Sequence, residues 1–172
     1  MRVFLDVETT HIVNNRLPDR IFLIVCKSEK GITYFRENEM DKFVSYIDNY
    51  NEFVGHNIIG FDAPVIKKIV NIDLHDKGKV IDTLVLSRLF DPVREGGHSL
   101  KSFGERLKFG KLDFKDFSEY SDEMLEYCIR DVELTEKVLG YLIRYNPDFS
   151  REAIRLEHET SRIITQQENN GF

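Results

Sequence analysis

Three short β-rich runs precede any helical periodicity, and that order restricts the fold more than any other feature of the chain. Residues 2–7, 20–27 and 32–36 are rich in Val, Ile, Phe and Leu, and Lys30-Gly31 supplies a tight turn between the last two. Helical spacing begins afterwards, from about residue 39 to 50, where Met40, Phe43, Val44 and Ile47 share one face. Strands and helices then alternate. A short buried strand is expected at 53–55, a helix at 64–70, a strand at 79–81 leading into the apolar run 83–89, and helices at 100–108 and 122–145. Ser121 is placed to cap the long helix, and Asn146-Pro147 breaks it. A last helix should follow Ser150 and fade at Asn169-Asn170-Gly171. This pattern predicts one α/β domain over residues 1–172, with a mixed central sheet flanked by helices and a C-terminal helix at 150–172. The segment 91–97, with Pro92 and Gly96-Gly97, is the expected mobile loop.

A chain of 172 residues, 41% hydrophobic and 31% charged, can bury a core without disulfides or metals and is not disordered. No apolar run approaches the roughly 18 residues of a membrane span, so no membrane partner is expected. The N-terminus reaches Asp6 too soon for a signal peptide. Cys26 and Cys128 lie far apart in apolar contexts without metal-site spacing, which excludes a disulfide framework and suggests a reducing, cytoplasmic setting. The net charge of −6 argues against a non-specific nucleic-acid binder unless cations load the acidic residues. Basic residues also cluster: between Arg88 and Lys115 there are seven (with Arg94, Lys101, Arg106, Lys108 and Lys111) against four acidic ones. That stretch could guide an anionic strand or form a solvated helix face.

Asp6-Val7-Glu8 closes the apolar first strand. Residues i and i+2 of a strand share a face, so both carboxylates can reach one cation. A chain with 30 acidic residues is expected to hold an Asp-x-Glu by chance, and a second, Asp131-Val132-Glu133, occurs. Position adds weight, because ligands of open α/β sheets bind outside the carboxyl ends of central strands. Between a strand and a helix stands His56-Asn57-Ile58-Ile59-Gly60-Phe61-Asp62-Ala63-Pro64, in which Asp62 reads as an N-cap with Pro64 in the first turn. In the long helix, Tyr127 and Asp131 are four apart and face one side, either towards a common cavity or as an ordinary amphipathic pair.

Together these residues resemble the DEDDy 3′–5′ exonucleases. Asp6 and Glu8 match the first motif, Asn57 to Asp62 the second, and Tyr127 to Asp131 the third. Glu126 stands where the other branch carries a histidine, which specifies the tyrosine branch. Phe61-Asp62-Ala63-Pro64, Ile81-Asp82-Thr83-Leu84-Val85-Leu86-Ser87-Arg88-Leu89 and Gly97-His98-Ser99-Leu100 are similar to the exonuclease domain of family A DNA polymerases from T-seven-like phages. Glu168-Asn169-Asn170-Gly171-Phe172 resembles the point where that family enters its polymerase domain. Against the family pattern the loop before His98 is short, and no polymerase segment is expected within residues 1–172.

The resemblance implies a ribonuclease H-like fold and two-metal-ion hydrolysis of a single-stranded DNA 3′ end. Two divalent cations, Mg²⁺ or Mn²⁺, would be held by oxygen ligands. Asp6 would bridge them, Glu8 and Asp131 would complete the first site, and Asp62 would hold the second. Tyr127 would orient the attacking water, since a phenol with a pKa near 10 is a poor base at neutral pH. Thr9, Ile12, Asn57 and Phe61 are the implied substrate contacts, with Ile12 and Phe61 wedging or stacking against terminal bases. The implied partner is a family A polymerase domain or subunit, docked along the final helix through Ile154, Ile163 and Ile164. His11 and His56 could touch phosphate or be structural, Asp82 reads as a helix cap, and His98 is undecided. A ribonuclease D-type RNA exonuclease carries the same four acids and tyrosine and is the alternative. A catalytically dead scaffold is disfavoured because all four acids are present.

Overall fold

The computed structural model describes residues 1–10, 16–110 and 114–171. β1 (Arg2–Thr9), β2 (Ile21–Ser28) and β3 (Gly31–Arg36) pair antiparallel in chain order, while β4 (Glu52–Gly55) and β5 (Lys79–Asp82) add in parallel on the other side of β1. The strand order β3-β2-β1-β4-β5 leaves β1 in the centre, with the antiparallel-then-parallel arrangement that the sequence predicts. Parallel addition requires crossovers. They are made by α1 (Met40–Ile47), then by α2 (Asp62–Val70) and the single-turn α3 (Leu74–Lys77). α4 (Thr83–Phe90), α5 (Leu100–Arg106), α6 (Asp122–Tyr145) and α7 (Arg151–Asn169) complete the described chain.

The sheet is covered on both faces, which is why Ile21 to Cys26 is buried without alternation. One core joins Val3, Leu5 and Val7 to Phe43, Ile47, Val65, Ile66 and Leu74. The other joins Phe4, Phe22, Leu23 and Val54 to Leu86, Phe103 and the inner face of α6. That face carries Met124, Cys128, Val132, Thr135, Val138, Leu139 and Leu142 at three- and four-residue intervals. Ser121 Oγ accepts from Met124 N–H at 3.1 Å, and Asn146 ends the helix, so the bounds match the sequence reading to the residue.

Three local expectations are corrected. α3 lies outside the sequence reading because one turn carries no periodicity; the Asp73 carboxylate caps it, accepting from His75 N–H at 2.9 Å. The segment 91–97, otherwise exposed, is anchored by one buried side chain. Its Arg94 is only 7% exposed, lies 3.9 Å from the centre of the Phe103 ring, and donates to Ser102 Oγ at 2.8 Å and to Gly97 O. Ile154 packs against the second core, so the outward face of α7 is made by Leu156, Ile163 and Ile164 instead.

Gly140 sits on the exposed side of α6, with nothing within 4 Å of where a Cβ would stand. A glycine inside a helix costs about 1 kcal/mol relative to alanine. Gly140→Ala should therefore raise the melting temperature by about 2–4 °C in a chain of this size. A lowered melting point would show that this face of α6 is not open.

Candidate active site

The parallel pairing of β1 with β4 runs only from Arg2↔Glu52 to Phe4↔Val54. Further along β1, a backbone N–H on the β4 side needs a partner from outside the sheet. Asp62 provides one: Val7 N–H donates to its Oδ1 at 3.0 Å. Asp62 is 3% exposed and is the first residue of α2, not its N-cap; Phe61 holds the cap position and makes no side-chain cap bond. The carboxylate thus serves a strand 55 residues away as well as the start of its own helix. That is a long-range role no capping rule would reveal.

Alternation along β1 sends Val3, Leu5 and Val7 into the first core and turns Phe4, Asp6 and Glu8 towards α6. The register against β2 slips between Glu8 (opposite Leu23) and Thr9 (opposite Ile21), a bulge of the kind that re-aims side chains at a strand end. Glu8 is 7% exposed and Asp131, from α6, is 4% exposed.

Cys128 joins these acids. Its Sγ lies 3.3 Å from Asp6 Oδ2, and donor atoms of Asp6, Glu8 and Cys128 all fall within 4.8 Å of one another. Burial, then the charges of Asp6, Glu8 and Asp131, push the thiol well above its ordinary pKa, so it stays protonated and donates to Asp6. Burial, then the charge of Asp6 and more weakly that of Asp82, likewise raises the Asp62 carboxyl well above its usual range. Asp6 is therefore felt by both neighbours, and Asp6, Glu8, Asp62 and Asp131 share one electrostatic environment. Buried like charges are costly unless a cation offsets them. With a protonated thiol and carboxylate oxygens as donors, the set fits a hard divalent ion such as Mg²⁺ or Mn²⁺ better than a thiophilic one.

Tyr127 is half-buried one turn before Asp131 on α6, its ring centroid 5.7 Å from that of Phe114 and 6.1 Å from that of Phe117. The sequence reading missed these two phenylalanines and Cys128. The available signal for Cys128 was its spacing of three from Asp131, which puts it on the same helical face.

The remaining expectations divide. Thr9 is buried beside Glu8. Asn57 is exposed at φ 67°, and its carbonyl accepts from Phe61 N–H at 3.0 Å. The loop it opens is tight: a Cβ on Gly60 would stand 2.5 Å from Asn57 Oδ1. Phe61 is part-buried against the first core. Ile12 and His11 lie outside the described residues. Asp82 caps α4, accepting from Leu84 N–H at 2.9 Å, and also accepts from the N–H groups of Asn57 (2.9 Å) and Ile59 (3.1 Å). His56 Nδ1 is 2.8 Å from Thr83 Oγ1, and His98 Nδ1 is 2.7 Å from Ser87 Oγ, a bond that gives His98 a structural role. Of the basic stretch, Arg94 belongs to the core, while Arg88, Lys101, Arg106, Lys108 and Lys115 are exposed.

An acid whose pKa rises on folding stabilises the fold while protonated; that contribution is complete below the ordinary carboxyl range and is lost as pH climbs through the raised value. Asp62→Asn keeps an oxygen for Val7 N–H and removes the charge. In chelator, the variant should melt higher than wild type at pH 7, and the gap should shrink towards pH 4. Thermal melts across that range check this; a gap that widens in acid would contradict it.

No family model matches the chain. By sequence it is 27% identical over 176 residues to the DNA-directed DNA polymerase of Escherichia phage T7, covering 69% of this chain and 25% of the relative. It is also 27% identical over 218 residues to that of Enterobacteria phage T3, covering 86% of this chain and 31% of the relative. The chain thus spans less than a third of the length of these curated relatives. Among solved structures, NrnC of Brucella melitensis bound to pGG superposes with a TM-score of 0.73 at 16% identity, covering 99% of this chain and 85% of that one. The same protein with bound Mg²⁺ gives 0.72, and Escherichia coli RNase D, an exoribonuclease, gives 0.69 at 15% identity over 94% of this chain and 45% of that one. No helix among the described residues is long and apolar enough to cross a membrane. The chain is similar in sequence to part of the phage T7 and T3 DNA polymerases, and it shares the ribonuclease H-like fold of NrnC and RNase D.

Proposed function

We propose that the chain is a DEDDy-type exonuclease that hydrolyses DNA 3′ ends to nucleoside monophosphates and proofreads for a phage-type polymerase. The observation that supports this reading is the cluster of Asp6, Glu8 and Cys128 at the carboxyl end of the central strand, with Asp62 bonded to Val7 N–H between the two acids and Asp131 on the α6 face that carries Cys128. Divalent cations held there would neutralise phosphate charge and lower the pKa of a bound water. Asp6, which accepts from the Cys128 thiol and raises the Asp62 carboxyl, would serve both ions, with Glu8 and Asp131 holding one and Asp62 the other. Tyr127, its ring held by Phe114 and Phe117, would orient the attacking water through its hydroxyl. Phe61, partly exposed at the lip of the loop, would stack on a terminal base.

The partner in this reading is a phage-type DNA polymerase, tethered or separate, as the name of the phage relatives suggests. Ile163 and Ile164, 55% and 48% exposed on α7, are the proposed docking residues. Tethering would raise the local concentration of frayed ends to about millimolar. A reducing cytoplasm suits two buried free cysteines. RNA processing is the second reading, supported by the fold likeness to an exoribonuclease.

Two variants and three substrates test the proposal. Asp6→Ala should lower Mg²⁺-dependent digestion of a single-stranded DNA oligonucleotide at least a hundredfold, about 3 kcal/mol of barrier, while the protein stays folded. Tyr127→Phe should be milder, roughly ten- to a hundredfold, with little change in oligonucleotide binding. Wild type should digest single-stranded and mismatched DNA ends faster than fully paired ones. Retention of more than about a tenth of the rate by Asp6→Ala would contradict the nuclease assignment. Faster digestion of a matched RNA oligonucleotide would favour the second reading.

A further inference from the structure

α7 lies along the edge of the sheet against β5 and α4, yet it buries none of its residues completely. A hydrogen bond from His158 joins it to the sheet, and both ring nitrogens define that bond. Nδ1 lies 2.8 Å from the Ile154 carbonyl, which can only accept, so Nδ1 carries the proton. Nε2 accepts from the backbone N–H of Asp82 at 3.0 Å. The imidazole is neutral in this arrangement, because a protonated Nε2 would face another donor. Burial also holds His158 below its ordinary pKa.

Asp82 is the residue that organises the second motif. Its two carboxylate oxygens hold the N–H groups of Asn57 and Ile59. The turn then closes on itself, with Phe61 N–H on Asn57 O at 3.0 Å and Ala63 N–H on Ile58 O at 2.9 Å. It delivers Asp62 to Val7 N–H, between Asp6 and Glu8 in the chain. A continuous set of short-range contacts therefore runs from α7 to the carboxylate site, through residues that make no contact with a substrate phosphate in the proposed mechanism.

We propose that His158 is a positioning residue: by fixing the backbone of Asp82 it holds the 57–62 loop, so that the carboxylate site is fully formed only when α7 is seated on the sheet. The consequence for activity rests on the nuclease reading; the consequences for metal binding and loop protection do not. His158→Leu fills the same space without an acceptor, whereas the side-chain oxygen of His158→Gln can take the Asp82 N–H. Three quantities separate them, each measured below the melting temperatures of both variants: Mn²⁺ affinity by calorimetry, amide exchange of residues 57–62, and kcat and KM on a single-stranded oligonucleotide. The leucine variant should bind Mn²⁺ roughly tenfold more weakly and show faster exchange of the loop. Its kcat should fall by a similar factor while KM changes less than about twofold. The glutamine variant should recover all three. A leucine variant with wild-type Mn²⁺ affinity and loop protection would overturn the inference, as would a glutamine variant as impaired as the leucine one. A wild type that binds Mn²⁺ but digests no nucleic acid would instead defeat the nuclease reading, leaving His158 to be judged on binding and exchange.

Discussion

Negative charge buried at the carboxyl end of β1 sets the terms for the structure around it. Asp62 and Asp131 are almost wholly enclosed, Glu8 is nearly so, and Asp6 stands close enough to raise the Asp62 carboxyl. An uncompensated cluster of this kind would cost several kcal/mol, so each surrounding element contributes a donor or a dipole. Val7 lends its N–H to Asp62, Cys128 its thiol to Asp6, and the first turn of α2 places its positive end beside Asp62. These contacts fix where the carboxylates point but do not neutralise them all. The remaining imbalance is what makes the site suited to divalent cations.

The topology follows from holding that cluster in place. β1 is central, flanked by antiparallel β2 and parallel β4, so its end lies at the point where strand direction changes. The early end of the β4 pairing leaves Val7 N–H for Asp62. α6 brings Tyr127, Cys128 and Asp131 from the opposite layer on a helix with nine buried side chains between Met124 and Leu142. Asp82 plays the matching part on the parallel side, closing the α4 cap and the 57–62 loop with one carboxylate.

Much of this could be read from sequence because it is local. β-rich runs bounded by turn signals located the five described strands and helical spacing the long helix, and Ser121 and Asn146 marked that helix's ends correctly. Asp82 as a cap was legible for the same reason. Four features were not, because each depends on contacts that local patterns do not encode. Asp62 read as a cap and also reaches a strand 55 residues earlier. Arg94 lies among the loop signals Pro92 and Gly96-Gly97, yet its guanidinium finds the Phe103 ring and anchors the segment. Cys128 read as an isolated apolar cysteine, because only the packing of α6 on β1 brings its sulfur to Asp6. Ile154 read as surface for the same kind of reason; its helix is amphipathic, and the sequence alone did not tell which side meets the core.

The central claim is that four carboxylates from β1, α2 and α6 converge to hold divalent cations. The direct test is anomalous diffraction from crystals soaked in Mn²⁺ with a single-stranded oligonucleotide. Two peaks about 4 Å apart are expected, one shared through Asp6 and bounded by Glu8 and Asp131, the other on the Asp62 side, and both should vanish in Asp6→Ala. Mn²⁺ bound elsewhere on the surface, or no peak near Asp6 under conditions that saturate binding in solution, would contradict it.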